Sequence, residues 1–247
     1  MHYWLVMPAA GVGRRFGASQ PKQYAELQGR TVIEWALAPF LADPNCAGAV
    51  VVLAADDPYW PQVAARLAKL PGRQPELIVA TGGVERSHTV RNGLSALEAR
   101  AGSDDWVLVH DAARPCLSAS DLQQLIERLA THPVGGLLAT PAADTLKRAG
   151  SDPTPGGDRE IDQTVDRAGL WRALTPQMFR YKPLCDALDN ALKAGRLPTD
   201  EAQALEWAGQ RPVLVQGSAA NIKITSADDL LLAAALLKRT SPQELFS

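Results

Sequence analysis

Trp4-Leu-Val-Met-Pro-Ala-Ala-Gly-Val-Gly-Arg-Arg-Phe-Gly17, with Pro21-Lys-Gln-Tyr24 close behind, decides how the chain is read. Trp4 to Met7 form a short apolar run that predicts a buried strand. The chain then passes directly into Gly11, Gly13 and Gly17 and the cations Arg14, Arg15 and Lys22. Residues 1 to 25 hold no Asp or Glu, although the whole chain carries a net charge of −2. Glycines after a strand let peptide N–H groups approach a phosphate closely. The stretch is therefore expected to hold an anion.

Working outward, short apolar runs alternate with helical patterns. Thr31-Val-Ile-Glu34 has the form of a capping box, predicting a helix to about Ala42. Ala49 to Leu53, Leu77 to Ala80, Trp106 to Val109 and Gly136 to Ala139 read as further strands. Helices are expected near residues 59–70, 87–100 and 118–131. This alternation, with continuously apolar strands, predicts an α/β fold: a mostly parallel twisted sheet with helices on both faces. Residues 141–170 break the rhythm. They are polar and contain Gly150-Ser-Asp-Pro-Thr-Pro-Gly-Gly157 between two segments that can pair, which predicts a projecting β-arm rather than a second domain. Too few apolar residues are present there for a core, and a second subunit is the simplest cover for the arm. Further on, Thr199-Asp-Glu201 is read as a helix start with Thr199 as N-cap. Val213 to Val215 and Asn221 to Thr225 read as strands, and Ser226 caps a last helix. Residues 1–247 are expected to form a single domain carrying this arm.

Composition narrows the classes. Apolar residues make up 46 %, enough for a substantial core. The near-neutral charge argues against nucleic-acid binding. No apolar run is long enough to span a bilayer, and Pro8 and the glycines come too early for a secretory leader. Cys46, Cys116 and Cys185 are odd in number and widely spaced, which suits free thiols in a reducing cytoplasm.

In open parallel sheets, ligands sit beyond the carboxyl ends of the strands. The residues that stand out fall there: Gly11, Gly13, Arg14 and Arg15 after the first strand; Gly82, Gly83, Arg86 and Thr89 after the third; Asp111 and Arg114 after the fourth; and Lys223 later. His110 is read as structural. A dinucleotide site fits poorly, because the spacing is Gly11-x-Gly13-x-x-x-Gly17, Pro21 interrupts the helix that should follow, and Asp56 comes too late for the ribose. A P-loop lacks its Gly-Lys-Ser/Thr. A mononucleotide triphosphate remains.

Together, several blocks carry a specific resemblance: Pro8 to Arg15 with Pro21 to Tyr24, Gly82 to Val90, Val109 to Pro115, Asp144 to Lys147, Thr164 to Arg167, Leu174 to Gln177, Thr199 to Ala202 and Asn221 to Thr225. In this order, from about residue 4 to 239, they resemble the 2-C-methyl-D-erythritol 4-phosphate cytidylyltransferases of the non-mevalonate isoprenoid pathway. The resemblance implies a Rossmann-like nucleotidyltransferase fold. It also implies in-line attack of the methylerythritol phosphate on the α-phosphorus of CTP, with release of pyrophosphate, and a requirement for Mg²⁺ held mainly by the CTP phosphates. A homodimer is implied, whose arms reach into each other's sites. By motif, Arg15, Lys22, Lys223 and Asp111 are the expected catalytic groups. Ala9, Ala10, Gly11, Gly13, Arg15, Lys22, Gly82, Gly83, Thr89 and Lys223 are expected around CTP. Asp111, Arg114, Thr199, Thr145 and Arg167 are expected around the acceptor, the last two from the partner subunit's arm. Val84 stands where the family often has an acidic residue, and Thr89 where it often has Ser. Three rivals stand beside this reading: a ribitol 5-phosphate cytidylyltransferase of the same family, a sugar-phosphate nucleotidyltransferase, and a non-catalytic nucleotide sensor.

Overall fold

The computed structural model describes residues 1–11, 20–71, 75–153 and 157–238. In chain order the strands are β1 (Tyr3–Pro8), β2 (Glu26–Leu27), β3 (Arg30–Thr31), β4 (Cys46–Leu53), β5 (Glu76–Thr81), β6 (Trp106–Val109), β7 (Gly135–Pro141), β8 (Leu146–Pro153), β9 (Arg159–Val165), β10 (Trp171–Arg180) and β11 (Val213–Gln216). The helices are α1 (Val32–Leu41), α2 (Trp60–Leu67), α3 (Arg86–Ser95), α4 (Ala119–Leu129), α5 (Tyr181–Lys193), α6 (Glu201–Trp207) and α7 (Ala227–Leu237). Among the described residues, seven strands form the main sheet in the order β11-β7-β10-β6-β1-β4-β5.

Alternation along β1 explains why the sheet is covered twice. Tyr3, Leu5 and Met7 face one layer, where they meet Ile33, Leu37 and Phe40 of α1, Val63 and Leu67 of α2, and Leu122 and Leu125 of α4. Val6 faces the other, with Val90 and Leu94 of α3, Leu184 and Leu188 of α5, and Leu205 of α6. Each apolar side chain fully buried in this way contributes roughly 1.5–3 kcal/mol. The Thr31 capping box forms as expected, with the Thr31 N–H donating to Glu34 Oε2 at 2.8 Å. Arg66 of α2 then grips both oxygens of Glu34 at 2.9 and 2.8 Å, locking α2 to α1. A third cluster seats Ala233 and Leu237 of α7 against Leu27, Trp35 and Ile224.

β1 pairs in parallel with β4 and with β6, Leu5 lying opposite both Ala49 and Leu108. β4 and β5 extend the sheet to one side of β1, whereas β6 crosses to the other. This reversal opens a crevice at the carboxyl ends of the strands, the place where such sheets bind ligands.

The arm forms from β8 and β9, an antiparallel pair with Leu146 opposite Val165, separate from the main sheet. Three features differ from expectation. β10 was not foreseen as a strand; it runs antiparallel between β6 and β7 and carries a register shift between Ala173 and Gln177, around Pro176. Asn221 to Thr225 is not a strand. Its peptide groups pair with a loop and with side chains instead: Ile224 N–H with the Ala113 carbonyl, Lys22 Nζ with the Ile224 carbonyl, and Arg114 Nη1 with the Asn221 carbonyl. Finally, Asp200 and not Thr199 caps α6, its carboxylate accepting from Gln203 N–H at 2.9 Å. The Thr199 N–H donates to Gln203 Oε1, and its side chain lies outside the helix.

Candidate active site

A cleft of about 410 Å³ lies at the crevice. Ala9, Ala10 and Gly11 after β1, Lys22 and Gln23, the turn Gly83 to Glu85, Arg86 and Thr89 of α3, Asp111 to Ala113 and Lys223 line it. Gln23 shapes the first wall, because its amide donates to the Ala9 carbonyl at 2.7 Å and the Gly11 carbonyl at 3.2 Å. These two bonds fix the start of the loop at the cleft. Thr89 shapes the second wall. Its hydroxyl accepts from the Gly83 N–H at 3.1 Å and donates to the Glu85 carbonyl at 3.1 Å. The two walls approach so closely that a Cβ on Gly82 would lie 2.3 Å from that of Ala10, which only glycine avoids.

Asp111 is the hub of the deep end. Its Oδ1 accepts from Arg86 Nε at 3.2 Å and Nη2 at 3.1 Å. Its Oδ2 lies 2.8 Å from Lys223 Nζ and 3.6 Å from Arg114 Nε. Burial would raise the Asp111 pKa, but Arg86, Lys223 and Arg114 override it and hold the carboxyl well below the usual range. Asp111 is thus an ionised anchor for cations, not a proton carrier. Arg86 turns its other edge to the buried Glu201, at 2.7 and 3.2 Å. Burial pushes the Glu201 carboxyl up against the pull of Arg86. Lys22, rising from a single 3-10 turn, donates to the Ile224 carbonyl at 2.8 Å, and so stands beside the segment that carries Lys223.

Behind Asp111, His110 is fully buried. Its Nε2 lies 3.1 Å from the Arg114 carbonyl, which can only accept, so Nε2 carries the proton. Nδ1 then accepts from the Thr175 hydroxyl at 2.9 Å, while Thr175 Oγ1 accepts from the Asp111 N–H at 3.1 Å. Burial lowers the His110 pKa to about 4. The neutral ring braces the loop that presents Asp111 and Arg114.

A cationic cleft of this shape, walled by glycine and alanine and with no serine or cysteine among the described residues that line it, suits an anionic nucleotide. The profile of a family described as IspD, 2-C-methyl-D-erythritol 4-phosphate cytidylyltransferase, matches residues 3–239. The chain belongs to this family. Its similarity to the 2-C-methyl-D-erythritol 4-phosphate cytidylyltransferase of Ectopseudomonas mendocina (strain ymp) is 54 % identity over 229 residues, 92 % of each chain. The protein of the same name from Pseudomonas aeruginosa (strain UCBPP-PA14) is 54 % identical over 230 residues, 93 % of each. Among solved structures, a 4-diphosphocytidyl-2C-methyl-D-erythritol synthase superposes with a TM-score of 0.79 at 38 % identity, covering 96 % of this chain and 98 % of its own. The Francisella tularensis 2-C-methyl-D-erythritol 4-phosphate cytidylyltransferase superposes with 0.75 at 33 % identity, covering 96 % and 100 %.

For this cytidylyltransferase, the structure gathers Ala9, Ala10, Gly11, Lys22, Gly83, Thr89, Asp111 and Lys223 around one cleft. Gly82 backs the wall at Ala10, and Arg114 lies buried beside Asp111. Thr199 is exposed two residues before Glu201, and Thr145 and Arg167 are exposed beside the arm strands and are not among the residues that line the cleft. Gly13, Arg14 and Arg15 lie outside the described residues. Val84 is 93 % exposed at the cleft rim, so the turn presents backbone and not a carboxylate at that position. Sequence reasoning gave no role to Gln23 or Glu201. Both lie inside quoted blocks, but neither residue type announces a contact made to a loop or helix distant in sequence.

Proposed function

We infer that this cleft is where the family's reaction takes place: transfer of the cytidylyl group of CTP to 2-C-methyl-D-erythritol 4-phosphate, giving 4-diphosphocytidyl-2-C-methyl-D-erythritol and pyrophosphate. The observation that carries the assignment is the convergence of Lys22, Arg86 and Lys223 on a cleft that holds Asp111, with the buried Arg114 beside Asp111 and the buried Glu201 paired to Arg86. The acceptor is a phosphate monoester with a second pKa of about 6, largely dianionic at neutral pH. It needs no general base. The obstacle is repulsion between that dianion and a triphosphate, and positioned cations are what a protein can set against it. Ala9 to Gly11 and the Gly82–Gly83 turn cradle the nucleotide. Lys22 and, by the family's motif, Arg15 meet the charge that develops on the transferring and leaving phosphates. Asp111 holds Lys223 and Arg114 toward the acceptor.

Mg²⁺ supplies neutralisation of the triphosphate when bound. Both oxygens of Asp111 are engaged by cations, and the described residues contain no cluster of three metal-ligating side chains. With its carboxylate engaged in this way, Asp111 leaves the ion to the nucleotide's own phosphates.

The chain is read as one nucleotidyltransferase domain that dimerises through the arm, with Thr145 and Arg167 reaching the partner subunit's acceptor. The exposed Leu146, Ile161 and Trp171 on and next to the arm support a covered surface there. No helix among the described residues is long and apolar enough to cross a membrane. The three cysteines are free, which suits a reducing cytoplasm. Lys22→Ala tests the assignment: turnover is expected to fall ~10²–10³-fold, the scale for losing one transition-state donor. A near-wild-type rate would remove Lys22 from the mechanism.

A further inference from the structure

We propose that Glu201 is a positioning residue of the transfer: through Arg86 it fixes one oxygen of Asp111, and so leaves the other to hold Lys223 and Arg114 at the acceptor side of the cleft. The proposal rests on the function assigned above and deepens it.

Glu201 is 1 % exposed, at the first position of a seven-residue helix. Helix capping does not require it, since Asp200 performs that task. Burying a carboxylate costs several kcal/mol, and a buried ion pair is seldom better for stability than an apolar pair of the same volume. The fold alone therefore gives no reason for an acid here.

The geometry does. Glu201 takes Arg86 by two contacts, Nη1 to Oε1 at 2.7 Å and Nη2 to Oε2 at 3.2 Å. A guanidinium is planar, so gripping one edge sets the direction of the other. That other edge, Nε and Nη2, points at Asp111 Oδ1. With Oδ1 occupied, Oδ2 is the atom left for Lys223 and Arg114. Charge points the same way. Without Glu201, three cations would converge on a single carboxylate, and Arg86 would compete with Lys223 for it. Arg86 also opens α3, directly after the nucleotide-facing turn, so one side chain joins that turn, Asp111 and α6.

The test is a double-mutant cycle with steady-state kinetics. Glu201→Gln keeps the shape and removes the charge. Its kcat is expected to fall ~10–100-fold, the scale of a slight misplacement of reacting groups, with KM for CTP within about twofold. In an Asp111→Asn background the same change is expected to cost less than about twofold, because the path through Asp111 is already broken. Arg86→Gln should repeat the pattern, and serves if Glu201→Gln does not fold. A Glu201→Gln enzyme with lowered melting temperature but unchanged kcat per folded molecule would overturn the proposal. So would a full loss that simply multiplies with that of Asp111→Asn. Wild-type protein inactive with CTP and methylerythritol phosphate would overturn the assigned function, and this proposal with it.

Discussion

His110 stands next to Asp111 in the sequence and is easily mistaken for a catalytic partner. Burial and two hydrogen bonds make it a brace instead. Its pKa of about 4 lies below the unfolded value of 6.5, so between these values the unfolded chain binds a proton that the folded chain refuses. Stability is fully present above pH 6.5 and falls as pH is lowered toward 4, by roughly 3 kcal/mol from this one group. Urea unfolding of wild type and His110→Gln across that window should show the wild type losing stability faster on acidification. Parallel curves would contradict the assignment. At this scale, residue type and position after a strand announce Asp111, while the family's motif announces Lys22 and Lys223. Gln23 and Glu201 were not legible, because their contacts span 12 and 14 residues in one case and 115 in the other, and only the folded chain brings the partners together.

Elements with strong local signals formed where expected. The Thr31 and Ser226 capping boxes are examples, since their reciprocal bonds lie within one turn. β10 was hidden because Pro176 interrupts its pattern, and proline inside a central strand argues against one. The register shift between Ala173 and Gln177 accommodates it. Asn221 to Thr225 misled in the opposite sense. Its alternation is that of a strand, but its polar backbone is spent on Ala113, Arg114 and Lys22, where it supports the cleft. The join between the β5–α3 turn and the β1 loop is equally tight. Gly82→Ala would drive a methyl group into Ala10 and force the two nucleotide-facing walls apart. An overpacked contact of this kind costs about 1–3 kcal/mol, and if that cost falls on the bound state CTP binding measured by calorimetry should weaken roughly 5- to 150-fold. Unchanged affinity would show that the two walls do not act together on the nucleotide.

The whole molecule combines a sheet that builds a cleft with an arm whose flanking residues Thr145 and Arg167 do not line it. An arm that serves its partner makes a distinctive prediction. Lys22→Ala and Arg167→Ala should each be impaired alone. After unfolding and refolding together, heterodimers should contain one intact site, restoring about a quarter of the wild-type activity per chain for random pairing. No recovery would mean that the arm acts on its own chain or not at all. The central claim, that this cleft joins CTP to methylerythritol phosphate, is tested most directly by pyrophosphate release. The purified chain would be given CTP and Mg²⁺ with 2-C-methyl-D-erythritol 4-phosphate or ribitol 5-phosphate in parallel. Release is expected with the first alone. Release only with ribitol 5-phosphate, or with neither, would contradict it.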